Sequence, residues 1–393
     1  MTAAMAGIVV KPRARIFHGH DWVYRSEVLK TFGDLQPGGV ISLKDGRNRL
    51  LGSAIYNPRS QIIARRFSRR KQPLDLGFFS RRLNQAIDLR KKLGVYRNPG
   101  RIVWSEGDGL PGVVIDRYGP YVVLQTLTLG MDQKKELIVA AVEKLLSPTS
   151  IIERNEAPIR KAEGLELVSG VLWGEHPRPV ELEVKGMRFE IDVLAGQKTG
   201  FYLDQIDNYE TVAGLAAGLR VLDCFSNQGA FAVACARAGA VSVSAVEISA
   251  DLVQSINQNA RRNGVRIAAY TDNAFDFLAR CIREKTQYDL IVLDPPSFAK
   301  AKESLSNAWR GYKEIHLRAL QLLAPEGFLA TFSCSHHVSR EMFLEMLVDA
   351  SVDAKRHVRM LKQFAQPLDH PILPHIPETE YLKGFLFQIL PGR

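Results

Sequence analysis

"RVLDCFSNQGAFAVACARAG", Arg220–Gly239, decides the fold. An apolar strand, "VLDCF", carries one acid near its end, Asp223. A turn of small and polar residues follows and closes on Gly229, and a run rich in Ala then reads as a helix. The turn holds one glycine, so the G-x-G-x-x-G fingerprint of dinucleotide binding is absent and a nicotinamide cofactor is disfavoured. Outward from this stretch the same alternation repeats. "SVSAVEIS" is a strand before the helix "ADLVQSINQNARRNG". "IAAYTD" precedes the helix "FDFLARCIREK", and "YDLIVLDPPSF" precedes "WRGYKEIHLRALQLL". "GFLATFSCS" is the fifth strand. Strict β-α alternation predicts a parallel, doubly wound α/β sheet. Its ligand belongs at the carboxyl ends of the strands, near the point where strand order reverses.

Those carboxyl ends are acidic. The first strand bears Asp223, the second ends in Glu247, and the third ends in "TDNAF" with Asp272 and Asn273. A carboxylate at the second strand end can accept bonds from ribose hydroxyls. Carboxylates in the loop would repel phosphates. Singly, each acid reads equally well as a helix cap. Together they favour a nucleoside ligand without pyrophosphate, such as S-adenosylmethionine.

The fourth strand ends in "LDPPSFAK", Leu293–Lys300. Two prolines stiffen the turn and remove two backbone donors. This places Asp294 over the pocket, in a loop common among nucleic-acid methyltransferases for holding the substrate base. The fifth strand ends in "TFSCSHHV", with Cys334 between Ser333 and Ser335 and ahead of His336 and His337. Cysteine is often simply buried. The alternative is a nucleophile. Carbon 5 of a pyrimidine is a poor nucleophile, and sulfur attack at carbon 6 turns the ring into an enamine-like species that accepts a methyl group there. Methylation at an amine or a ring nitrogen needs no thiol.

Charge is unevenly spread over the 393 residues, whose net charge is +10. The first hundred residues hold 20 Lys and Arg against 6 Asp and Glu, which leaves 32 against 36 in the rest. A concentrated basic region is the footprint of a nucleic-acid partner. Within it "RIFHGHDWVYRSEV" interleaves Phe17, Trp22 and Tyr24 with arginines, a pattern suited to base stacking and phosphate binding. For either Phe17 or Trp22 alone, the core of a small barrel is the better expectation. "GGVISLKD", "LLGSAIYN" and "IIARRFS" read as strands, and "RRFSRRKQP" as a basic linker. "FFSRRLNQAIDLRKKLG" reads as a helix with Phe79, Leu83, Ile87 and Leu93 on one face and Gly94 as its stop. Hairpin strands, a second helix and a strand pair follow. The domains expected are 1–75, β-rich; 76–190, α+β; and 191–393, doubly wound.

No apolar run approaches the ~18–20 residues of a membrane span, and no secretory signal is expected. Four cysteines without C-x-x-C spacing suggest neither a disulfide framework nor a zinc site. A cytoplasmic location follows as the expectation.

The motifs "VLDCFSNQGAFAV", "LDPPSF" and "FSCS" resemble the class I ribosomal RNA methyltransferases of the RlmI group, along nearly the whole chain. The resemblance implies a PUA-like N-terminal domain, a central α+β domain and a Rossmann-like methyltransferase domain. It implies S-adenosyl-L-methionine as cofactor and methyl transfer to carbon 5 of a cytosine in 23S ribosomal RNA. The partner would be that RNA, free or in an assembly intermediate, with a homodimer left open. Asp223, Phe225, Ser226, Asn227 and Gly229 would form the methionine-side loop. Glu247 would take the ribose, and Asp272 with Asn273 would sit beside the adenine. Asp294 would hold the cytosine edge, with Pro295, Pro296 and Phe298 around the base, and Cys334 would attack carbon 6. "GQKTGFYLDQ" also matches and would bring Lys198 and Phe201 to the cleft. This chain lacks the second cysteine that many RNA cytosine-5 methyltransferases carry in the loop reading "DPPSF" here. The alternatives are a guanine methyltransferase with Cys334 structural, and a non-catalytic RNA-binding factor.

Overall fold

The computed structural model describes residues 6–196, 198–298 and 305–391. The chain divides into two compact units. Met1–Leu182, Glu190–Leu203 and Leu368–Glu380 form the first, and Glu183–Phe189, Asp204–Pro367 and Tyr381–Arg393 form the second.

The first unit holds two sheets. Strands β1 (Gly7–Val10), β2 (Trp22–Tyr24), β3 (Val28–Phe32), β4 (Val40–Lys44), β5 (Leu50–Tyr56) and β6 (Ile62–Ser68) pair in the order β2-β6-β5-β4-β1-β3. Ile8, Val10, Val23, Ile41, Leu43 and Ala54 fill their core. Helix α1 (Leu76–Lys92) begins where Asp75 Oδ1 accepts the Phe78 amide at 2.7 Å, which satisfies an otherwise orphaned donor. Phe79, Leu83 and Ile87 are buried on one face. Leu93 is not part of that face: it follows the last helical residue and is 42% exposed. Gly94 ends the helix at φ +69, a conformation that costs glycine little.

The second sheet is built from β7 (Gly100–Trp104), β8 (Val113–Tyr118), β9 (Tyr121–Thr126), β10 (Ser150–Asn155) and β11 (Val168–Gly174), in the order β11-β10-β9-β8-β7. Helices α2 (Leu129–Asp132) and α3 (Lys135–Leu146) lie between β9 and β10, and α4 (Ile159–Ala162) before β11. Buried polar groups tie the two sheets together. Arg65 donates to Glu106 at 3.1 Å and to Glu163 at 3.5 Å. Asn57 donates to Glu163 at 2.7 Å, and Trp22 Nε1 donates to Glu106 at 2.8 Å. Buried charges persist only when paired in this way. Trp22 is half-buried with the Arg65 guanidinium 4.7 Å from its ring centroid. Phe17, expected in the core, is 43% exposed. A ribbon of β12 (Val180–Val184) and β13 (Met187–Ile191) follows along the chain.

The second unit opens with α5 (Ile206–Ala213). It continues as β14 (Arg220–Cys224), α6 (Ala230–Arg237), β15 (Ser242–Glu247), α7 (Ala250–Arg262), β16 (Ala268–Thr271), α8 (Ala274–Arg283), β17 (Tyr288–Leu293), α9 (Leu305–Leu322), β18 (Leu323–Ser333) and α10 (Arg340–Asp353). It closes with β19 (Val358–Ala365) and β20 (Lys383–Ile389). The sheet order is β16-β15-β14-β17-β18-β20-β19, parallel through β18 and antiparallel beyond. The five parallel strands match the alternation read from the sequence. The order reverses between β14 and β17, so their carboxyl ends flank the crevice. The antiparallel pair carried no clear signal. On β19 most residues are exposed, and an edge strand without a buried face lacks apolar alternation. No helix among the described residues is long and apolar enough to cross a membrane.

Candidate active site

Strand β14 delivers Asp223 to the crevice, and its side chain is almost completely buried. Oδ2 accepts the Ser226 hydroxyl at 2.6 Å and the Ala232 amide at 3.1 Å. Oδ1 is buried without a hydrogen-bond partner among the described residues. Burial pushes the carboxyl up to about 7. The bonds from Ser226 and Ala232 hold it back, and the charges of Asp294 and Glu247 push it further. Ser226 therefore orients Asp223.

The loop after β14 is wound tightly. Phe225 (φ +62), Asn227 (φ +52) and Gly229 (φ +84) are all left-handed. The two non-glycine residues carry backbone strain of roughly 1–3 kcal/mol each. Bonds to β15 hold the loop: Ser226 N to the Val246 carbonyl at 3.1 Å and Asn227 N to Glu247 Oε2 at 3.0 Å. Glu247 Oε1 accepts the Ile248 amide at 2.8 Å and the Ser249 amide at 3.2 Å. Gly229 caps α6, and a Cβ there would meet Ile256 at 3.2 Å. At the third strand end Asn273, and not the acid Asp272, caps α8. Asn273 Oδ1 accepts the Phe275 amide at 2.9 Å, and Asp272 pairs with Arg280 at 2.7 Å.

Asp294 stands just after β17, half-buried, with Oδ2 accepting from Gln205 Nε2 at 3.0 Å. Gln205 Oε1 in turn accepts from Asn208 at 2.6 Å. Pro295 is buried and Pro296 exposed. Phe298 packs in a ring cluster, 4.7 Å from Tyr312 and 6.1 Å from Phe275 between centroids.

Cys334 follows β18 directly and is half-buried, whereas Cys224, Cys235 and Cys281 are buried. None of the four is in a disulfide. Strands β17 and β18 are neighbours, with Leu293 opposite Thr331. Their following loops are joined by Ser297 Oγ and Ser335 Oγ at 2.8 Å. Tyr312 Oη meets Ser333 Oγ at 2.8 Å and Ser335 Oγ at 3.1 Å. Lys383, 5% exposed, donates to the Ser335 carbonyl at 2.6 Å. Both residues flanking the thiol are thus held. His336 and His337 are exposed, and the His336 ring is tilted against Tyr381 at 5.9 Å. On α9, His316 is fully buried and shares a hydrogen bond with Thr331 Oγ1 at 2.8 Å; burial lowers its pKa to about 3, leaving it neutral.

The structure therefore brings Asp223, Glu247 and Asp294 together, and joins the loops carrying Asp294 and Cys334. Lys198 and Phe201 group with the first unit. Phe201 is buried, and the exposed Lys198 lays its ammonium 4.1 Å from the Tyr202 ring centroid. Sequence reasoning gave no individual role to Gln205, Ser297, Tyr312 or Lys383, although Gln205 closes the block "GQKTGFYLDQ" and Ser297 lies in "DPPSF". For Lys383 the signal was its place at the head of the apolar run "KGFLFQI", because lysine is almost never buried unless paired.

Residues 166–388 match the family described as S-adenosylmethionine-dependent methyltransferase, and residues 8–69 match a PUA-like domain. The chain belongs to the S-adenosylmethionine-dependent methyltransferases. It is 38% identical over 391 residues to the ribosomal RNA large subunit methyltransferase I of Erwinia tasmaniensis, covering 98% of this chain and 99% of that one. It is 37% identical over 392 residues to the protein of that name from Yersinia pseudotuberculosis, with the same coverage. A solved structure from Streptococcus mutans, described as a SAM-dependent methyltransferase, shares the fold at a TM-score of 0.84. It is 22% identical, with 97% of this chain and 99% of that one covered.

The methyltransferase cofactor, S-adenosylmethionine, is a cation with a sulfonium, an ammonium and two ribose hydroxyls. Asp223, pressed by the charges of Asp294 and Glu247 and left with an orphaned acceptor oxygen, fits such a group, because a cation relieves that repulsion.

Proposed function

We propose that this enzyme transfers a methyl group from S-adenosylmethionine to carbon 5 of a cytosine in 23S ribosomal RNA, with Cys334 as nucleophile. The observation carrying the reading is the half-buried Cys334, fixed by Ser333 and Ser335 in a loop hydrogen-bonded to the loop of Asp294. A ribosomal RNA substrate is supported by the names of the full-length relatives, by the PUA-like domain and by the basic N-terminal region.

The cofactor supplies an electrophilic methyl group. Asp223 and Glu247 bind its cationic and hydroxyl groups. The Cys334 thiolate adds to carbon 6, and the carbon 5–carbon 6 π pair makes carbon 5 nucleophilic. Carbon 5 takes the methyl group as the methyl–sulfur bond breaks, its electron pair staying on the cofactor sulfur so that a neutral thioether leaves. The carbon 5 hydrogen then leaves as a proton to a base, and the C–H electron pair re-forms the double bond as Cys334 sulfur is expelled. Asp294, held by Gln205, positions the cytosine edge, and the exposed Pro296 and half-buried Phe298 border the base. The target must leave any helical stack, so a loop or opened strand is the expected substrate.

In Cys334→Ala, methyl transfer to ribosomal RNA is expected to vanish while calorimetry shows unchanged cofactor affinity. RNA containing 5-fluorocytosine should trap the wild-type protein as a covalent adduct on denaturing gels. Full activity in Cys334→Ala would assign the thiol a structural role and the reaction a guanine target.

A further inference from the structure

A second concave site lies wholly within the first unit, where the end of β6 and the linker beyond it face α1 and the turn after β7. Its lining is dominated by guanidinium groups: Arg66, Arg69, Arg70, Arg81 and Arg82. The two acidic side chains there are already engaged. Asp21 accepts from Arg66 at 2.6 Å, and Glu106 accepts from Arg65 and Trp22. Arg69 and Arg70 are exposed and form no ion pair among the described residues. Arg81 is exposed, donates to the Gly77 carbonyl at 3.4 Å and lies 5.9 Å from the Phe78 ring centroid, with no carboxylate in either contact. Arg82 is half-buried, donating to the Phe67 carbonyl at 3.2 Å and to Gln85 at 3.3 Å. Burial and the adjacent Arg81 charge both lower the pKa of Arg82. Uncompensated positive charge is therefore concentrated in one cleft, and part of it has been withdrawn from water.

Such a cleft suits a chain of closely spaced anions. A guanidinium presents a planar fork that binds phosphate oxygens bidentately, and several on two facing elements can grip successive phosphates. We propose that this cleft clamps the phosphodiester backbone of the RNA substrate, as a docking site separate from the methyl-transfer crevice. The proposal rests on the reading of RNA as substrate. It assigns to Arg69, Arg70 and Arg81 a sequence-independent contribution to affinity.

The test uses the full chain, a 23S ribosomal RNA transcript and filter binding across a salt series. The triple variant Arg69→Gln, Arg70→Gln, Arg81→Gln removes exposed charges and keeps the Asp21–Arg66 and Arg82 contacts. It should bind RNA at least about tenfold more weakly at 0.1 M salt. Its slope of log K against log salt should be shallower by about 2, as expected for three lost contacts to single-stranded phosphates. Cofactor affinity by calorimetry should not change. A control triple, Lys144→Gln, Arg283→Gln, Lys355→Gln, removes equal charge from exposed sites elsewhere and should bind nearly as wild type. Equal losses in both triples, or none in the cleft triple, would overturn the clamp while leaving the RNA reading intact. Wild-type protein that ignores the transcript would overturn both. Phosphatidylglycerol vesicles bound by wild type as tightly as RNA, and released by the cleft triple, would reassign the cleft to a membrane surface.

Discussion

Asp223 carries the pH behaviour of the crevice. With a folded-state carboxyl at about 7 and an ordinary value of 3.8, the folded chain holds more protons than the unfolded chain between those values. This contribution to stability is present in full below about pH 4 and is lost as pH rises through 7. His316 has the opposite sign. Its pKa of about 3 against 6.5 makes its contribution full above 6.5 and lost as pH falls. In urea titrations without cofactor, Asp223→Asn should flatten the decline in stability between pH 5 and 8 and leave the acid-side loss. A bound cation favours the ionised form, so cofactor binding should expel a proton near neutrality. Affinity should rise with pH up to about 7 in wild type and stay flat in Asp223→Asn, and calorimetry in buffers of different ionisation enthalpy would count the proton. Glu247→Ala should weaken cofactor binding by roughly 1.5–3 kcal/mol, the worth of a hydrogen bond to a charged group. Unchanged affinity in a folded Glu247→Ala protein would remove Glu247 from the ribose site.

Strand β20 supports the chemistry of strand β18. Lys383 lies opposite Ser333 in the antiparallel register and reaches the carbonyl of Ser335. Lys383→Met keeps the apolar stem and removes the ammonium, leaving a buried carbonyl short of a donor. Stability should fall by about 1–3 kcal/mol, read from the urea midpoint. Methyl transfer should fall further than stability explains, because the Cys334–Ser335 backbone loses an anchor. The next residue tests packing. A Cβ on Gly384 would lie 2.5 Å from Phe332 Cδ1 and 2.9 Å from the Thr331 carbonyl. Gly384→Ala must separate β20 from β18, with overpacking costs of typically 1–3 kcal/mol and a matching drop in thermal midpoint.

The first unit is held together by charge as well as by apolar surface. Removing the residues before Gly77 would strip Arg65 from Glu106 and Glu163, both nearly buried. Leaving such carboxylates without their partner typically costs 3–5 kcal/mol. That truncation is expected to yield a chain with an unfolded or aggregating central sheet, visible as loss of its cooperative melting transition. Glu163→Gln should be less damaging, since the amide can still accept from Asn57.

The β-α alternation from Arg220 to Ser333, the helix over Leu76–Lys92 and the acids at the strand ends were legible in the sequence. Periodicity, glycine stops and capping residues act over a few neighbours, so local pattern is enough to read them. Asp294 and Cys334 were legible as strand-end residues for the same reason. The burial, and then the charge crowding, that raise Asp223 depend on three strands meeting at one edge, and no single segment records them. Ser297 with Ser335 and Gln205 with Asp294 are 38 and 89 residues apart, and each pair meets only through the parallel register and the crevice it creates. Strands β19 and β20 escaped the reading because one is an exposed edge and the other gains its partners across the sheet. The residue types and their order determined what chemistry this chain has available. Tertiary packing decided which carboxylate keeps a proton, which lysine is buried beside the thiol loop and which arginines remain uncompensated, because burial and long-range charge are properties of the assembled fold.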